Sequence, residues 1–361
     1  MNVLYDHQIF SLQRFGGISR YFSELAARVS SRVAVLASEN EYLAAMPFYR
    51  GLTLDGSRRF PGKTTLVQAV NAGYARAKLV GREYDLFHPT YYHPYFLGYL
   101  GKRPYVLTVY DMAHEVYPDC FGANDRTAAW KRIVIRQADR IIAISEFTRQ
   151  ELMRLYGLDG VRIDVVHLAS SFQGRNEPVS EKIRQIGAYI LYVGNRNRYK
   201  NFDLFIRAMA PLLARDPGLR IVCAGGGAFD VAELALIESL RLTGRLLQVR
   251  ASDEELAQLY AAARVFVFPS LYEGFGIPVL EAFSCGCPVI VSGSGSLPEV
   301  AGDAGLVADA GDESALRDSV QRVLSDDQLR NELIGRGYNR AALFSWERVA
   351  RETVAVYESV G

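Results

Sequence analysis

Cysteine, net charge and long hydrophobic runs are all scarce in this sequence. Four Cys in 361 residues (Cys120, Cys223, Cys285, Cys287) form no Cys-x-x-Cys pair and cannot make a disulfide scaffold. Cys285-Gly286-Cys287 is too tight for a usual zinc knuckle, so buried small side chains are the expected role. Lys+Arg 41 against Asp+Glu 40 leaves a net charge of +1, which argues against a basic coat for nucleic acid. No apolar run reaches the roughly 18 residues that a bilayer-spanning helix needs. Met1–His7 shows no basic stretch ahead of an apolar one, so a signal peptide is not expected. A Gly-x-x-x-x-Gly-Lys phosphate loop is missing, as are a Gly-x-Ser-x-Gly elbow and a Gly-x-Gly-x-x-Gly turn after the first apolar run. These absences disfavour P-loop NTPases, elbow-type serine hydrolases and nicotinamide dehydrogenases. With 49% hydrophobic and 22% charged residues, a folded cytoplasmic protein of about two domains is expected.

The near-neutral total hides an uneven distribution. Residues 1–170 hold 21 Lys+Arg and 16 Asp+Glu, a balance of +5, and the remainder hold 20 and 24, a balance of −4. Arg58, Arg59, Lys63, Arg76, Lys78 and Arg82 surround a stretch with helical character. Such a face can rest on anionic lipid, each cation contributing about 1 kcal/mol near the surface. A solvated helix face is the plainer alternative.

Short apolar runs alternate with helical patterns along the chain. Met1–Tyr5, Val33–Ala37, Asp85–His88, Tyr105–Tyr110, Arg140–Ile144 and Ile163–His167 read as buried strands, with helices over Ile18–Val29 and Arg126–Gln137. The polar stretch Phe172–Ile186 reads as a linker. The pattern then restarts, with strands at Tyr189–Val193, Leu219–Ala224, Leu246–Arg250, Val265–Phe268 and Pro288–Ser292. Helices are expected over Phe202–Ala214, Val231–Leu240, Glu254–Ala263 and Glu313–Leu324, and from Pro278. This alternation predicts an α/β protein with two Rossmann-like, doubly wound parallel-sheet domains, at 1–171 and 187–344, joined by a linker at 172–186. An amphipathic helix at 345–361, with Trp346, Val349, Val354 and Tyr357 along it, is expected to pack back on the first domain. Open parallel sheets bind ligands at the carboxyl ends of their strands, so a cleft between the two domains is the expected site.

The strongest signal runs from Pro269 through Ser270, Leu271, Tyr272, Glu273, Gly274, Phe275, Gly276, Ile277, Pro278, Val279 and Leu280 to Glu281, directly after a predicted strand. Gly274 and Gly276 permit close backbone approach or positive φ. Pro278 suits the first helical position, where its missing N–H costs nothing. The product is a strand, a glycine loop and a helix N-terminus, which favours an anion such as a diphosphate. Carboxylates repel phosphate but accept well from vicinal hydroxyls, so Glu273 and Glu281 are expected to hold sugar hydroxyls on either side of it. A capped helix with solvated glutamates is the bland alternative.

This stretch resembles the Glu-x(7)-Glu signature of retaining glycosyltransferases of the GT-B fold, specifically glycosyltransferase family 4. The resemblance extends over Ser252–Leu256, Tyr260–Ala263, Gly286–Ile290 and Ser296–Leu306, and covers nearly the whole chain, weakest over residues 38–84. It implies that the domain at 1–171 binds the acceptor and that at 187–344 the nucleotide sugar, and that Glu273 lies by the donor sugar and Glu281 on the ribose hydroxyls, with Gly274, Phe275, Gly276 and Ile277 lining the donor. It implies no cofactor beyond a nucleoside-diphosphate sugar as donor substrate. No Asp-x-Asp triplet is present, so the metal-binding motif of the other large glycosyltransferase fold is missing and no metal is expected.

Three further signals fit beside it. Gly194-Asn195-Arg196-Asn197-Arg198-Tyr199-Lys200-Asn201 places cations at a strand's carboxyl end. Arg clamps phosphate oxygens bidentately and Lys supplies a compact charge, as a departing diphosphate requires. By resemblance the catalytic pair is Arg196 and Lys200, with Gly194 against the nucleotide and Arg198 left open. Phe15-Gly16-Gly17-Ile18 opens a helix and resembles the family's N-terminal glycine loop, so Gly16 and Gly17 are assigned to the donor. Gly225-Gly226-Gly227 either accommodates the nucleotide or turns the chain. At Thr108–Glu115 many family members carry His-Asp, whereas this sequence has Tyr110-Asp111 with a His only at His114; Asp111 and His114 are kept as orienting groups. His88 and His93 are further polar candidates, for which a structural role is the simpler account.

The segments around Asp111 and His88 look like family members that build bacterial surface polysaccharides with mannose or rhamnose donors. The resemblance implies a glycan or lipid-linked glycan acceptor, no nucleic acid, and a cytoplasmic protein that meets the inner face of the inner membrane. Two alternatives stay open: a synthase or epimerase using a UDP-hexose on the same fold, and a non-catalytic sugar-nucleotide-binding protein.

Overall fold

In the computed structural model, parallel strands organise both parts of the chain. The structure describes residues 1–54, 62–172 and 178–360. Arg58 and Arg59 of the basic cluster, and Gln173, Gly174, Arg175, Asn176 and Glu177 of the expected linker, lie outside the described residues. The chain divides into one unit of Met1–Leu168 with Trp346–Gly361 and a second unit of Ala169–Ser345.

In the first unit, β1 (Val3–Tyr5) pairs in parallel with β2 (Ser31–Val33) on one side and β5 (Leu86–His88) on the other. A short parallel pair, β3 (Ala37–Ser38) with β4 (Leu52–Thr53), lies apart. β6 (Val106–Val109), β7 (Arg140–Ala143) and β8 (Ile163–Val165) form another parallel set, tied to β5 by the parallel bridge Phe87↔Tyr105. The strand expected over Val33–Ala37 is therefore split. Its ladder with β1 ends as the Ala34 N–H donates to the Tyr5 carbonyl at 2.8 Å, and Ala37 already belongs to another pairing. Asn71 anchors the displaced segment: its side-chain oxygen accepts from the Leu36 and Ala37 amides, both at 3.0 Å.

The terminal helix Trp346–Glu358 lies in this first unit. Its Tyr357 hydroxyl is 2.6 Å from His88 Nδ1 and 3.1 Å from the Tyr5 hydroxyl, while His88 Nε2 meets Thr108 Oγ1 at 3.0 Å. All four side chains are buried, so each polar atom must find its partner inside the core. Burial holds the His88 imidazole neutral, with its pKa pushed down to about 3.

The second unit carries one six-stranded parallel sheet in the order β11-β10-β9-β12-β13-β14. The strands are β9 (Tyr189–Val193), β10 (Arg220–Ala224), β11 (Leu246–Val249), β12 (Val265–Phe268), β13 (Val289–Ser292) and β14 (Leu306–Ala308). β9 and β12 are buried along their whole length and lie side by side, as a sheet covered on both faces requires. The chain order reverses between β9 and β12, so their carboxyl ends flank a topological switch point. Part of the stretch expected to be linker is helical: Glu181–Arg184 buries Ile183, and the Ser180 amide donates to Gln258 at 3.0 Å.

The basic helix spans Lys63–Gly81. Lys63 is paired with Glu39, and Lys78 lies on the Tyr74 ring. Among the described residues, no helix is long and apolar enough to cross a membrane.

Candidate active site

β9 delivers the chain to Gly194, which turns at φ +122, a conformation that favours glycine. A single tight turn, Arg198–Lys200, follows and ends at Asn201 in the left-handed region (φ +58). The Asn201 side chain donates to the carbonyls of Pro269 (3.2 Å) and Ala310 (2.8 Å). It thereby joins the loops after β9, β12 and β14. The Leu271 amide donates to the Tyr199 carbonyl at 2.8 Å and draws the same loops together.

After β12 the glycine loop leads into the helix Ile277–Ser284, with Pro278 in its first turn. Gly276 sits at φ +112, and a Cβ there would come within 2.8 Å of the Leu297 side chain. Ser296 Oγ donates to the Glu273 carbonyl at 3.0 Å and the Phe275 carbonyl at 2.7 Å. Ser292 Oγ donates to the Ser270 carbonyl. These bonds satisfy the loop from behind. The Phe275 ring is buried 6.0 Å from Phe344, so this side chain packs the loop down.

Where the two loops meet, Lys200 Nζ donates to Glu273 Oε1 at 2.6 Å. Their side chains are 16% and 13% exposed. Phe268, the last residue of β12, places its ring 5.8 Å from the ammonium. Glu281 lies one turn into the helix, where Tyr260 donates its hydroxyl to Oε2 at 3.2 Å. Burial, reinforced by the Glu281 carboxylate, raises the Tyr260 phenol well above its ordinary pKa. The phenol therefore keeps its proton and holds Glu281 as an acceptor.

Arg196, expected as a diphosphate clamp, is bonded within the second unit. Its side chain is only 4% exposed, and Nε donates to Glu233 Oε1 at 2.7 Å. The other nitrogens donate to the carbonyls of Gly225 (3.2 Å), Gly227 (3.1 Å) and Ala228 (2.8 Å). The guanidinium also lies 4.8 Å from the Phe229 ring. Its donors are spent on folding the glycine turn, in which Gly225, Gly226 and Gly227 all have positive φ. A Cβ on Gly226 would lie 2.5 Å from Arg196 Nη1, so glycine there makes room for the cation. Arg198, left open from sequence, is exposed.

The candidates in the first unit are placed as follows. Gly17 opens the helix Gly17–Ala26, but the Gln13 side chain already accepts from the Ser19 amide at 3.3 Å. Gly16 gives its carbonyl to Ser19 Oγ at 3.0 Å. Asp111 Oδ1 accepts from the Ala113 amide at 2.9 Å, and its carbonyl accepts from Lys131 Nζ at 2.8 Å. Lys131 is fully buried and pairs with Glu115 at 2.9 Å; Tyr156 donates to the other Glu115 oxygen at 2.7 Å. This ion pair, which sequence reasoning missed, supports the Asp111 loop from below. His114 stacks on Phe121 with centroids 3.8 Å apart. Burial, with help from Lys131, lowers its pKa, so the imidazole is neutral at pH 7. His93 Nδ1 accepts from the Tyr95 amide at 3.1 Å and caps a turn.

Comparison with known proteins agrees with this architecture. Residues 175–340 match the model of Glycosyl transferases group 1, and residues 15–169 match that of Glycosyltransferase Family 4. The chain is 34% identical over 290 residues to O-antigen chain mannosyltransferase B of Escherichia coli, covering 77% of this chain and 74% of that one. It is 30% identical over 349 residues to the D-inositol 3-phosphate glycosyltransferase of a Nocardioides strain, covering 88% and 75%. Among solved structures, the Anabaena protein HepE in complex with UDP-glucose superimposes with a TM-score of 0.76 at 18% identity, over 99% of this chain and 100% of that one. WaaG, a glycosyltransferase involved in lipopolysaccharide biosynthesis, gives 0.71 at 16% identity over 99% of both chains. The match of both halves to these models, and of most of the chain to the mannosyltransferase, makes this protein a glycosyltransferase of family 4, with the two-domain GT-B fold.

Proposed function

We propose that this enzyme moves a hexose, mannose or rhamnose foremost, from a nucleoside diphosphate to a hydroxyl of a glycan or lipid-linked glycan. The anomeric configuration is retained, no metal takes part, and the product belongs to a bacterial surface polysaccharide. The observation that carries this reading is the 2.6 Å Lys200–Glu273 contact at the joined carboxyl ends of β9 and β12. A diphosphate arriving there replaces the Glu273 carboxylate as partner of the ammonium. Glu273 is thereby released to accept from hydroxyls of the sugar, while Glu281, held by Tyr260, accepts from those of the ribose. As the bond from the anomeric carbon to phosphate oxygen breaks, charge develops on that oxygen. Lys200 and the amides opening the helix Ile277–Ser284 stabilise it. The acceptor oxygen attacks from the same face and its proton passes to the leaving phosphate.

The Escherichia coli mannosyltransferase supports mannose as the sugar. The HepE complex supports UDP-glucose as a second donor reading, and the Nocardioides relative supports a phosphoinositol as a second acceptor reading. A lipid-linked acceptor would bring the protein to the inner membrane surface, with Arg76 and Lys78 of the basic helix as contacts; binding to anionic vesicles that is unchanged by added salt removes that contact. The direct test adds a panel of nucleotide sugars and follows melting temperature, since a ligand held by the native state alone raises it. The stabilising donor is then incubated with glycan acceptors and EDTA, and the product anomer is read by NMR. Failure of every nucleotide sugar to stabilise the protein, or an inverted product, rejects the reading.

A further inference from the structure

Between β13 and β14, behind the glycine loop, lies the five-residue helix Leu297–Ala301. A helix this short has little stability of its own, so its place depends on what holds its two ends.

The leading end holds the loop. Gly295 sits at φ +64, and a Cβ there would come within 2.8 Å of the Glu273 amide nitrogen and 2.9 Å of its carbonyl oxygen. Glycine thus lets this turn lie directly on the Glu273 backbone. Ser296 is fully buried, and its amide donates to the Glu273 carbonyl at 3.2 Å, beside the two bonds from its Oγ. From that backbone the Glu273 carboxylate reaches Lys200.

The trailing end is closed by one side chain. The last four carbonyls of a helix have no partner within it. Here the Pro298 carbonyl accepts from the Gly302 amide at 3.0 Å and the Ala301 carbonyl from the Ala304 amide at 3.2 Å. The other two both accept from Arg340, with Nε donating to Val300 at 3.0 Å and Nη2 to Glu299. A guanidinium suits this place because its fork spans two successive carbonyls, and its charge complements the negative end of the helix dipole. Gly302 makes room for it: at φ +57, a Cβ there would lie 3.1 Å from Arg340 Cζ. Arg340 belongs to the helix Asp327–Ala341, and its guanidinium lies 5.2 Å from the Phe344 ring. Phe344 is the ring that meets Phe275, so the same end of the chain touches the glycine loop a second time.

We propose that Arg340 is a positioning residue for the donor loop: by closing the helix Leu297–Ala301 it fixes Gly295 and Ser296, and through them the backbone that aims Glu273 at Lys200. Its effect on turnover rests on the proposed role of Glu273; the mechanical link does not.

Arg340→Met, which keeps an unbranched stem and removes the fork, tests both parts. Amide exchange at Ser296 is expected to rise several-fold, while the Leu271 amide, bonded to Tyr199 at the other side of the loop, keeps its rate. The variant should lower kcat by about tenfold to a hundredfold and change the donor KM less, and Arg340→Lys should fall between it and the parent. In a Glu273→Gln background Arg340→Met should lower kcat no further, since a residue acting through Glu273 then has nothing left to position. Unchanged exchange at Ser296, or an equal rise at Leu271, overturns the link. An undiminished loss of kcat in the Glu273→Gln background overturns the action through Glu273. If Arg340→Met does not fold, Arg340→Lys decides by the same readouts. Faster exchange at Ser296 alone, with Glu273→Gln turning over at the parental rate, upholds the link and defeats the proposed role of Glu273.

Discussion

The two sheets finish their carboxyl ends in different ways. In the second unit, glycines at positive φ and serine hydroxyls settle the backbone, and the charged pair Lys200–Glu273 stays partly exposed where two loops meet. In the first unit, charged and polar side chains do the settling themselves. Asp6, His88 and Lys131 are fully buried and bonded, and they hold aromatic rings and loops in place. A site for an anionic donor needs charge at low reorganisation cost. Within one loop, Arg196 is bonded to Glu233 and to the carbonyls of the glycine turn, and Lys200, four residues later, is paired with Glu273.

Substitutions can break this comparison. The largest effect is expected at Arg196→Ala, which strands Glu233 beside the opened glycine turn. Removing one partner of a buried pair costs about 3–5 kcal/mol, read as a lower urea midpoint. Stability near that of the parent together with lost turnover would return Arg196 to the diphosphate. Lys200→Ala and Glu273→Ala are next. Each should lower kcat by about 10²–10³ while the urea midpoint stays put, and wild-type turnover in both would remove the pair from the chemistry.

A pH titration sharpens the contrast for the first unit. The folded His88 has its pKa depressed to about 3, against roughly 6.5 in an unfolded chain. Below the unfolded value the unfolded state binds the extra proton. The stability that neutral His88 contributes is thus complete above pH ~6.5 and is lost as pH falls toward 3. His88→Gln should flatten that slope in urea titrations, and an unchanged slope would mean that other groups set it. The smallest effect belongs to Tyr260→Phe. Losing one hydrogen bond to a charged acceptor, about 1.5–3 kcal/mol, should raise the donor KM by about ten- to a hundredfold with kcat preserved. An equal loss in kcat would place Glu281 closer to the reacting atoms than the ribose.

Much of the fold was legible because buried parallel strands read as unbroken apolar runs. Tyr189–Val193 and Val265–Phe268 were recognisable to the residue for that reason. Val33–Ala37 looked the same, yet competing partners on β1 and β4 divide it. The helix Asp327–Ala341 went unseen because it buries little beyond Leu333 and Gly337, which leaves no apolar stripe to read. In the candidate site, the Glu273–Glu281 spacing announced a loop and a helix start. Tyr260 gave no comparable sign, since a tyrosine on a helix is ordinarily core.

The alternation of strands and helices, the glycine loop after β12 and the presence of cations after β9 follow from sequence alone, because periodicity and turn chemistry are local properties. Which partner each of those cations takes is not local. Glu233, 37 positions beyond Arg196, meets its guanidinium, and Glu273, 73 positions beyond Lys200, meets its ammonium. A long-range partner of that kind leaves no periodic trace in the chain, so only the packed structure could assign it.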